Sequence, residues 1–136
     1  MGYTVKIVAE KMNLSPHVLR YYEKEGLLPH VKRTKSGIRH YTDADLERLG
    51  LICCLKHTGM SIKQIRDFVM LSTQGPQTLQ ARCEMLVAHK QEVEQHIEEV
   101  TRHLHKVTHK IAYFTKQYED YCQSEKQLSQ LGSQAD

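Results

Sequence analysis

A group of polar side chains recurs at helical spacing directly after a Ser-Pro pair at residues 15–16. The group consists of His17, Arg20, Tyr21 and Lys24. Residues spaced i, i+3, i+4 and i+7 lie on one face of an α-helix. An arginine can bond guanine or phosphate, and tyrosine hydroxyl and lysine ammonium groups suit phosphate. This face predicts nucleic-acid binding, and the alternative is an ordinary solvated helix surface.

A second basic group lies in residues 31–41, where short apolar-polar runs flank the segment Thr34-Lys35-Ser36-Gly37. Such runs around a glycine-containing turn predict a β-hairpin. Its exposed side chains are expected to be those of Lys32, Arg33, Lys35, Arg39 and His40. A basic ribbon beside a polar helix favours the nucleic-acid interpretation.

The elements that hold these groups are predicted from helix caps. Thr4 caps a first helix that reaches about residue 12, and Ser15 caps a second that reaches about residue 25, where Gly26 ends it. Two short helices joined by a tight turn form a helix-turn-helix. Capping-box patterns at Thr42 and Ser61 predict a third helix, ending at about residue 58, and a fourth.

From residue 79 to residue 121 a seam of mostly apolar residues recurs in alternating steps of four and three. It includes Leu79, Cys83, Leu86, Val93, Ile97, Val100, Leu104, Val107, Ile111, Phe114, Tyr118 and Tyr121, and Lys90 interrupts it. This regularity predicts a coiled coil, and a second copy of the chain is the simplest partner. We therefore expect a DNA-binding head at 1–74, a dimerisation helix at 76–122 and a polar flexible tail at 123–136.

Charge and composition limit the classes of function. Residues 1–75 hold 12 Lys and Arg against 7 Asp and Glu, whereas residues 76–136 hold 7 against 9, so the positive charge is in the head. No apolar run approaches the ~20 residues that span a bilayer, and no signal peptide is evident, so a cytoplasmic location is expected. Phosphate loops, catalytic triads and metal motifs are not evident either, which predicts a non-enzyme without a cofactor.

Several motifs together resemble the signature of the MerR family of transcriptional regulators. These are Leu19-Arg20-Tyr21-Tyr22-Glu23, Gly26-Leu27-Leu28-Pro29, Gly37-Ile38-Arg39-His40-Tyr41 with Asp45-Leu46, and Gly59-Met60-Ser61-Ile62 with Ile65. They occur in order across residues 3–71, and the coiled-coil helix extends the resemblance to about residue 121.

The resemblance implies a mainly α-helical fold: a winged helix-turn-helix head with a small β-hairpin wing, and a long C-terminal helix that forms an antiparallel coiled-coil dimer. It implies that the homodimer binds double-stranded promoter DNA and distorts it so that RNA polymerase can use the promoter. Family positions that contact DNA correspond here to Arg20, Tyr21 and Tyr22 in the recognition helix, Arg39 and Tyr41 in the wing, and Lys56, His57 and Thr58 in a second wing.

Cys54 resembles the cysteine of the family's thiol-based branch, whose members respond to aldehydes, other electrophiles or nitrosative stress. Neighbouring His or Lys side chains favour the reactive thiolate. We expect Cys54 to be the sensor, because modification would enlarge a packed side chain. The alternative is a buried, unreactive thiol, which is the role we expect for Cys53 in the stripe of Leu46 and Leu49.

Two further interpretations remain open. In an antiparallel dimer centred near residues 102–103, Cys83 would approach the partner's Cys122, and the two thiolates could hold a soft metal; the alternative is a seam cysteine and a surface cysteine. His105 and His109 share a helix face, but a solvated surface is the expected role. The chain could also be an architectural or adaptor protein that binds DNA without an inducer.

Overall fold

The computed structural model describes residues 2–134, which form five α-helices, a 3₁₀ turn and a two-stranded hairpin. In chain order the elements are α1 (Val5–Met12), α2 (Pro16–Lys24), β1 (Lys32–Arg33), β2 (Arg39–His40), α3 (Asp43–His57), α4 (Ile62–Ser72), the 3₁₀ turn (Pro76–Thr78) and α5 (Leu79–Gln134). The mainly helical fold with a small wing is confirmed. No helix among residues 2–134 is long and apolar enough to span a membrane.

The predicted caps begin the first four helices. In each case a hydroxyl oxygen accepts a hydrogen bond from a backbone N–H of the first turn, and the capping residues are Thr4, Ser15, Thr42 and Ser61. Asp45 and Gln64 complete the two capping boxes by accepting from the backbone N–H of Thr42 and Ser61. Gly26 and Gly59 follow α2 and α3 at φ of +79° and +97°, a region that strains other residues.

The wing is an antiparallel hairpin in which Lys32 pairs with His40 and Arg33 with Arg39. Its base is attached to the N-terminus of the chain by an isolated bridge. The backbone N–H of Tyr3 donates to the Tyr41 carbonyl at 2.7 Å, and that of Tyr41 donates to the Tyr3 carbonyl at 2.9 Å.

The hydrophobic core of the head lies where the first four helices and the base of the wing meet. Its most deeply buried side chains are Val8, Leu19, Leu27, Tyr41, Leu49 and Ile65. Each element contributes at least one of them, so burial of apolar area fixes α2 against α1, α3 and α4.

Helix α5 divides between two compact units, one ending at Val93 and the other starting at Glu94. In the first unit Leu86 packs against the core, and the Thr58 hydroxyl oxygen lies 2.6 Å from His89 Nε2. The head therefore extends past the boundary that we expected at residues 74–76, and Leu86 is shared between the head and the seam.

In the second unit the seam residues are exposed. Ile97, Leu104 and Ile111 show 58%, 58% and 62% of their surface. The helix also continues to Gln134, beyond residue 122, where we expected a flexible tail to begin. The tail segment contains no proline, and Leu128 and Leu131 continue the apolar spacing, so its sequence is compatible with a helix.

Candidate nucleic-acid interface

The polar face of α2 is fully presented to solvent. His17, Arg20 and Lys24 are exposed, and Tyr21 shows 45% of its surface. On the opposite side Leu19 is completely buried and Val18 packs partly against the core. The helix is thus seated by its apolar side, and its polar side is free to contact a ligand.

Glu23 joins this helix to the wing. Its Oε1 accepts a hydrogen bond from Arg33 Nη2 at 3.3 Å, and its Oε2 accepts one from Arg39 Nε in a close ion pair. The side chains of Glu23 and Arg39 are 22% and 24% exposed, so the pair is partly shielded from solvent screening. Arg39, which we expected to contact DNA, uses one guanidinium N–H to hold the wing against α2.

A second ion pair holds the end of α2. Arg66, on α4, donates from Nε to the Glu25 carbonyl at 2.7 Å and from Nη2 to Glu25 Oε2 at 2.5 Å. The carbonyl belongs to the last turn of the helix, where backbone acceptors lack helical partners. Sequence reasoning missed Glu23, Glu25 and Arg66, because nothing local predicts pairs that are 10 to 41 residues apart.

Two residues expected at the interface lie in the core instead. Tyr22 shows 7% of its surface and Tyr41 shows 1%. Burial raises the pKa of both phenols, and the nearby Glu23 carboxylate raises the pKa of Tyr41 further. Tyr22 follows Tyr21 on the helix and so points to the side that packs on α3, whereas Tyr41 turns inward after β2. Both rings therefore help to position the helix and the wing, and their contact with DNA stays a prediction.

The remaining predicted contact residues are at the surface. Lys35 lies in the exposed turn of the wing, and Lys56, His57 and Thr58 are exposed at the end of α3. The Thr58 hydroxyl is already engaged, since it donates to the Cys54 carbonyl at 2.8 Å and contacts His89. Sequence reasoning missed His89, which lies off the seam and in no motif, so nothing local predicts its contact with Thr58.

The two adjacent cysteines differ in environment. Cys53 packs partly against the core, and burial raises the pKa of its thiol, as a structural cysteine requires. Cys54 is exposed, so our expectation that it is a packed side chain is wrong. It borders an open depression of about 470 Å³ that is also lined by Met12, Leu14, Tyr22, Gly50 and His57.

Cys83 and Cys122 are exposed free thiols. Among residues 2–134, no group of three or more His, Cys, Asp or Glu side chains is arranged to hold a metal ion. A side-chain interaction with Cys122 raises the pKa of the Tyr118 phenol.

Comparisons with known proteins agree with this architecture. Two protein-family models match the sequence. The family described as "MerR HTH family regulatory protein" matches residues 3–70, and the family described as "MerR, DNA binding" matches residues 46–110. An uncharacterized HTH-type transcriptional regulator of Haemophilus influenzae is 40% identical over 116 residues, which cover 85% of this chain and 86% of the relative. The HTH-type transcriptional regulator AdhR of Bacillus subtilis is 38% identical over 63% of this chain and 61% of AdhR.

Solved structures give the same result. The crystal structure of HiNmlR, a MerR family regulator lacking the sensor domain and bound to promoter DNA, has a TM-score of 0.80 at 40% identity; the match covers 85% of this chain and 92% of HiNmlR. A MerR family regulator from Bacillus thuringiensis has a TM-score of 0.77 at 36% identity over 82% of this chain and 98% of its own. These relatives are regulators, in agreement with the prediction that the chain is not an enzyme. The chain belongs to the MerR family of DNA-binding transcriptional regulators.

Proposed function

We propose that the chain binds promoter DNA as a homodimer, distorts it to control transcription by RNA polymerase, and responds to electrophilic or nitrosative stress through Cys54. The observation that carries the DNA-binding part is the exposed polar face of α2, which Glu23 joins to the basic wing. The helix can enter the major groove while the wing follows the adjacent backbone.

The exposed seam of α5 supports the homodimer. Between residues 97 and 121 its apolar and aromatic side chains each show half of their surface or more. An apolar stripe of this length in water indicates an interaction surface, and heptad spacing fits another helix of the same kind.

A dimer with separated heads would contact DNA at two sites. Recognition helices of such dimers enter successive major grooves, which are about 34–36 Å apart. Base pairs between the two sites are then read through their deformability rather than through contacts. The family resemblance implies that the dimer distorts an over-long promoter spacer. This distortion would deform the base pairs between the two sites.

The position of Cys54 supports the sensing part. Its thiol is exposed, and His57 and the exposed Lys56 lie within one helical turn of it. With an aldehyde, the Cys54 sulfur adds to the carbonyl carbon and the thiol proton passes to the former carbonyl oxygen, which gives a hemithioacetal without any oxidant. The similarity of the chain to AdhR and HiNmlR supports this proposal.

An adduct on Cys54 has room to lie in the neighbouring depression, so it acts by contact and not by overpacking the core. The depression is lined by Leu14 of the helix-turn-helix turn and by Tyr22 of the recognition helix. The Cys54 carbonyl also accepts hydrogen bonds from the Thr58 backbone and hydroxyl groups, and Thr58 contacts His89 of α5. The site therefore adjoins both the reading helix and the first part of the dimerisation helix.

The DNA-binding part is tested by footprinting the protein on the region upstream of its own gene. We expect protection of two half-sites on one side of the helix, with hyperreactivity at the centre where the duplex is distorted. Uniform protection without a preferred site would favour an architectural role.

The sensing part is tested by reporter induction with an aldehyde and with a nitric oxide donor. We expect Cys54→Ser to abolish induction, whereas Cys83→Ser and Cys122→Ser serve as matched controls and respond normally. Full induction in the Cys54→Ser strain refutes the sensor. Loss of induction in both controls, with recovery on adding a soft metal ion, would support a metal site shared by Cys83 and Cys122 instead.

A further inference from the structure

The head contains a cavity that the proposed function does not use. It has a volume of about 190 Å³ and lies between the loop after α2, helices α3 and α4, and the first turn of α5. Its apolar wall is formed mainly by Leu28, Leu51, Ile52, Phe68 and Val69. Leu51 is 39% exposed even though it faces this cavity, so the wall is an apolar surface that protein atoms do not fill.

One side of the cavity carries Arg82, whose guanidinium group is held in a fixed orientation by neutral oxygens. Its Nε donates to Thr78 Oγ1 at 3.1 Å and its Nη2 donates to the Gly75 carbonyl at 3.4 Å. Thr78 is itself buried, with 7% of its surface exposed. Among residues 2–134, no carboxylate lies within ion-pair distance of Arg82.

The other charged residues of the cavity neutralise each other. Arg48 donates to Asp45 Oδ1 at 3.2 Å, and Asp45, which is 4% exposed, also accepts from the Thr42 backbone. The half-buried Arg82 is therefore the cation left to attract an anion into the cavity, because its charge has no counterpart there.

The volume limits the size of that anion. An apolar cavity of about 150 Å³ accepts benzene, whereas sites for drug-sized ligands measure about 300–1,000 Å³. A cavity of about 190 Å³ fits one ring or a short aliphatic chain with a single polar group.

From these observations we propose that the cavity binds a small organic acid, with its carboxylate paired to Arg82 and its ring or chain packed between Leu51 and Phe68. The site is separate from the face of α2 and from Cys54. Since its wall includes the loop that follows the recognition helix and the start of α5, an occupant fixes these elements to one another and stabilises the folded head.

The test is a titration of the full-length protein with sodium benzoate, followed by the NMR signals of the Leu51 and Ile52 methyl groups. We expect saturable shifts at millimolar concentration and a rise in Tm. Benzyl alcohol, which has the same ring but no charge, should bind about tenfold more weakly or worse, as should benzoate to Arg82→Gln. The matched control is Arg102→Gln, which removes an exposed arginine of α5 and should leave binding unchanged.

A second variant keeps the test decisive if Arg82→Gln does not fold. Ser72 also lines the cavity, and Ser72→Leu should fill it and block benzoate while circular dichroism shows an intact head. Absence of saturable shifts in the wild-type protein overturns the proposal. So does equal binding of benzoate and benzyl alcohol, or unchanged benzoate binding in both Arg82→Gln and Ser72→Leu. None of these outcomes depends on DNA binding or on Cys54.

Discussion

The Glu23 carboxylate forms a close ion pair with the guanidinium group of Arg39 and so connects the recognition helix directly to the second strand of the wing. Arg33, in the first strand, bonds the other oxygen of the same carboxylate. One acidic side chain in a basic head thus sets the position of two arginines. The relative placement of helix and wing depends on this contact as well as on the buried Tyr41 at the base of the wing.

We predict that Glu23→Gln lowers the discrimination between specific and non-specific DNA. Arg33 and Arg39 are released from the carboxylate and can contact phosphates of any sequence, while the wing loses its fixed position. The ratio of specific to non-specific affinity should fall about tenfold, which corresponds to about 1.4 kcal/mol.

Fluorescence anisotropy measures this ratio with a duplex selected by the wild-type protein and with a scrambled duplex. Glu47→Gln is the matched control, because Glu47 is an exposed residue of α3. Equal loss of affinity for both duplexes would mean that Glu23 contributes only to the stability of the head.

We predict that Arg20→Ala and Tyr21→Phe weaken specific DNA binding while the protein remains dimeric. Both side chains lie on the exposed face of α2, where the Tyr21 ring is 6.1 Å from the ring of the buried Tyr22. Loss of the Arg20 charge should reduce the slope of log affinity against log salt by about one unit, whereas Tyr21→Phe removes no charge and should lower affinity without changing the slope. Titrations across salt concentrations test this, and Lys11→Ala, in α1, controls for the loss of a basic residue. An unchanged slope and affinity would remove α2 as the reader.

We predict that Tyr41→Phe leaves DNA affinity unchanged and does not destabilise the protein. The Tyr41 hydroxyl group is buried and has no hydrogen-bond partner among residues 2–134. Removing a buried hydroxyl without a partner recovers its desolvation cost, so the free energy of unfolding should stay equal or rise by about 1 kcal/mol. Denaturant unfolding and anisotropy measure the two quantities. A large loss of DNA affinity would restore Tyr41 to the interface.

The same residue predicts a dependence on pH. Burial and the Glu23 carboxylate raise the pKa of Tyr41 above its usual value of 10.0, so the folded state retains a proton that the unfolded chain releases earlier. Its contribution to stability is complete below pH 10.0 and is lost as the pH rises towards the folded pKa. Wild-type stability should therefore fall more steeply than that of Tyr41→Phe above this pH.

We predict that Leu104→Asp dissociates the dimer. The substitution places a charge in the exposed apolar seam, where a partner helix would bury it at a cost of several kcal/mol. Gln95→Asp, which lies off the seam, is the matched control. Light scattering after gel filtration gives the mass at micromolar concentration; a monomeric wild-type protein would contradict the coiled-coil interpretation.

Local signals allowed most of the fold to be predicted. The caps at Thr4, Ser15, Thr42 and Ser61 act within four residues, so their effects are visible in the sequence. Contacts between distant elements were missed because they join residues that are far apart in the sequence. Whether Arg39 faces DNA or Glu23, which is 16 positions earlier in the sequence, depends on the fold, and no local pattern records it.

Burial within the candidate site was also difficult to predict. Tyr21 and Tyr22 are adjacent and identical in type, yet one is exposed and the other is in the core, since successive residues of a helix are turned by about 100°. The family resemblance placed Tyr22 on DNA, but the spacing of His17, Arg20, Tyr21 and Lys24 leaves Tyr22 off their face, in agreement with its packing. The tail was expected to be flexible because it is polar, whereas α5 continues through it to Gln134.

The last prediction concerns the two neighbouring thiols. Burial raises the pKa of Cys53, so at neutral pH a smaller fraction of it is thiolate, which is the nucleophilic form. Cys54 is exposed at the edge of an open depression. We therefore expect iodoacetamide to modify Cys54 at least about tenfold faster than Cys53, as measured by mass spectrometry of digested, time-quenched samples.

The double variant Cys83→Ser/Cys122→Ser removes the two other exposed thiols and simplifies the assignment. On raising the pH, the Cys53 rate should increase over a higher range than that of a free cysteine. Faster modification of Cys53 than of Cys54 in the folded protein would contradict both the core position of Cys53 and the assignment of Cys54 as the reactive thiol.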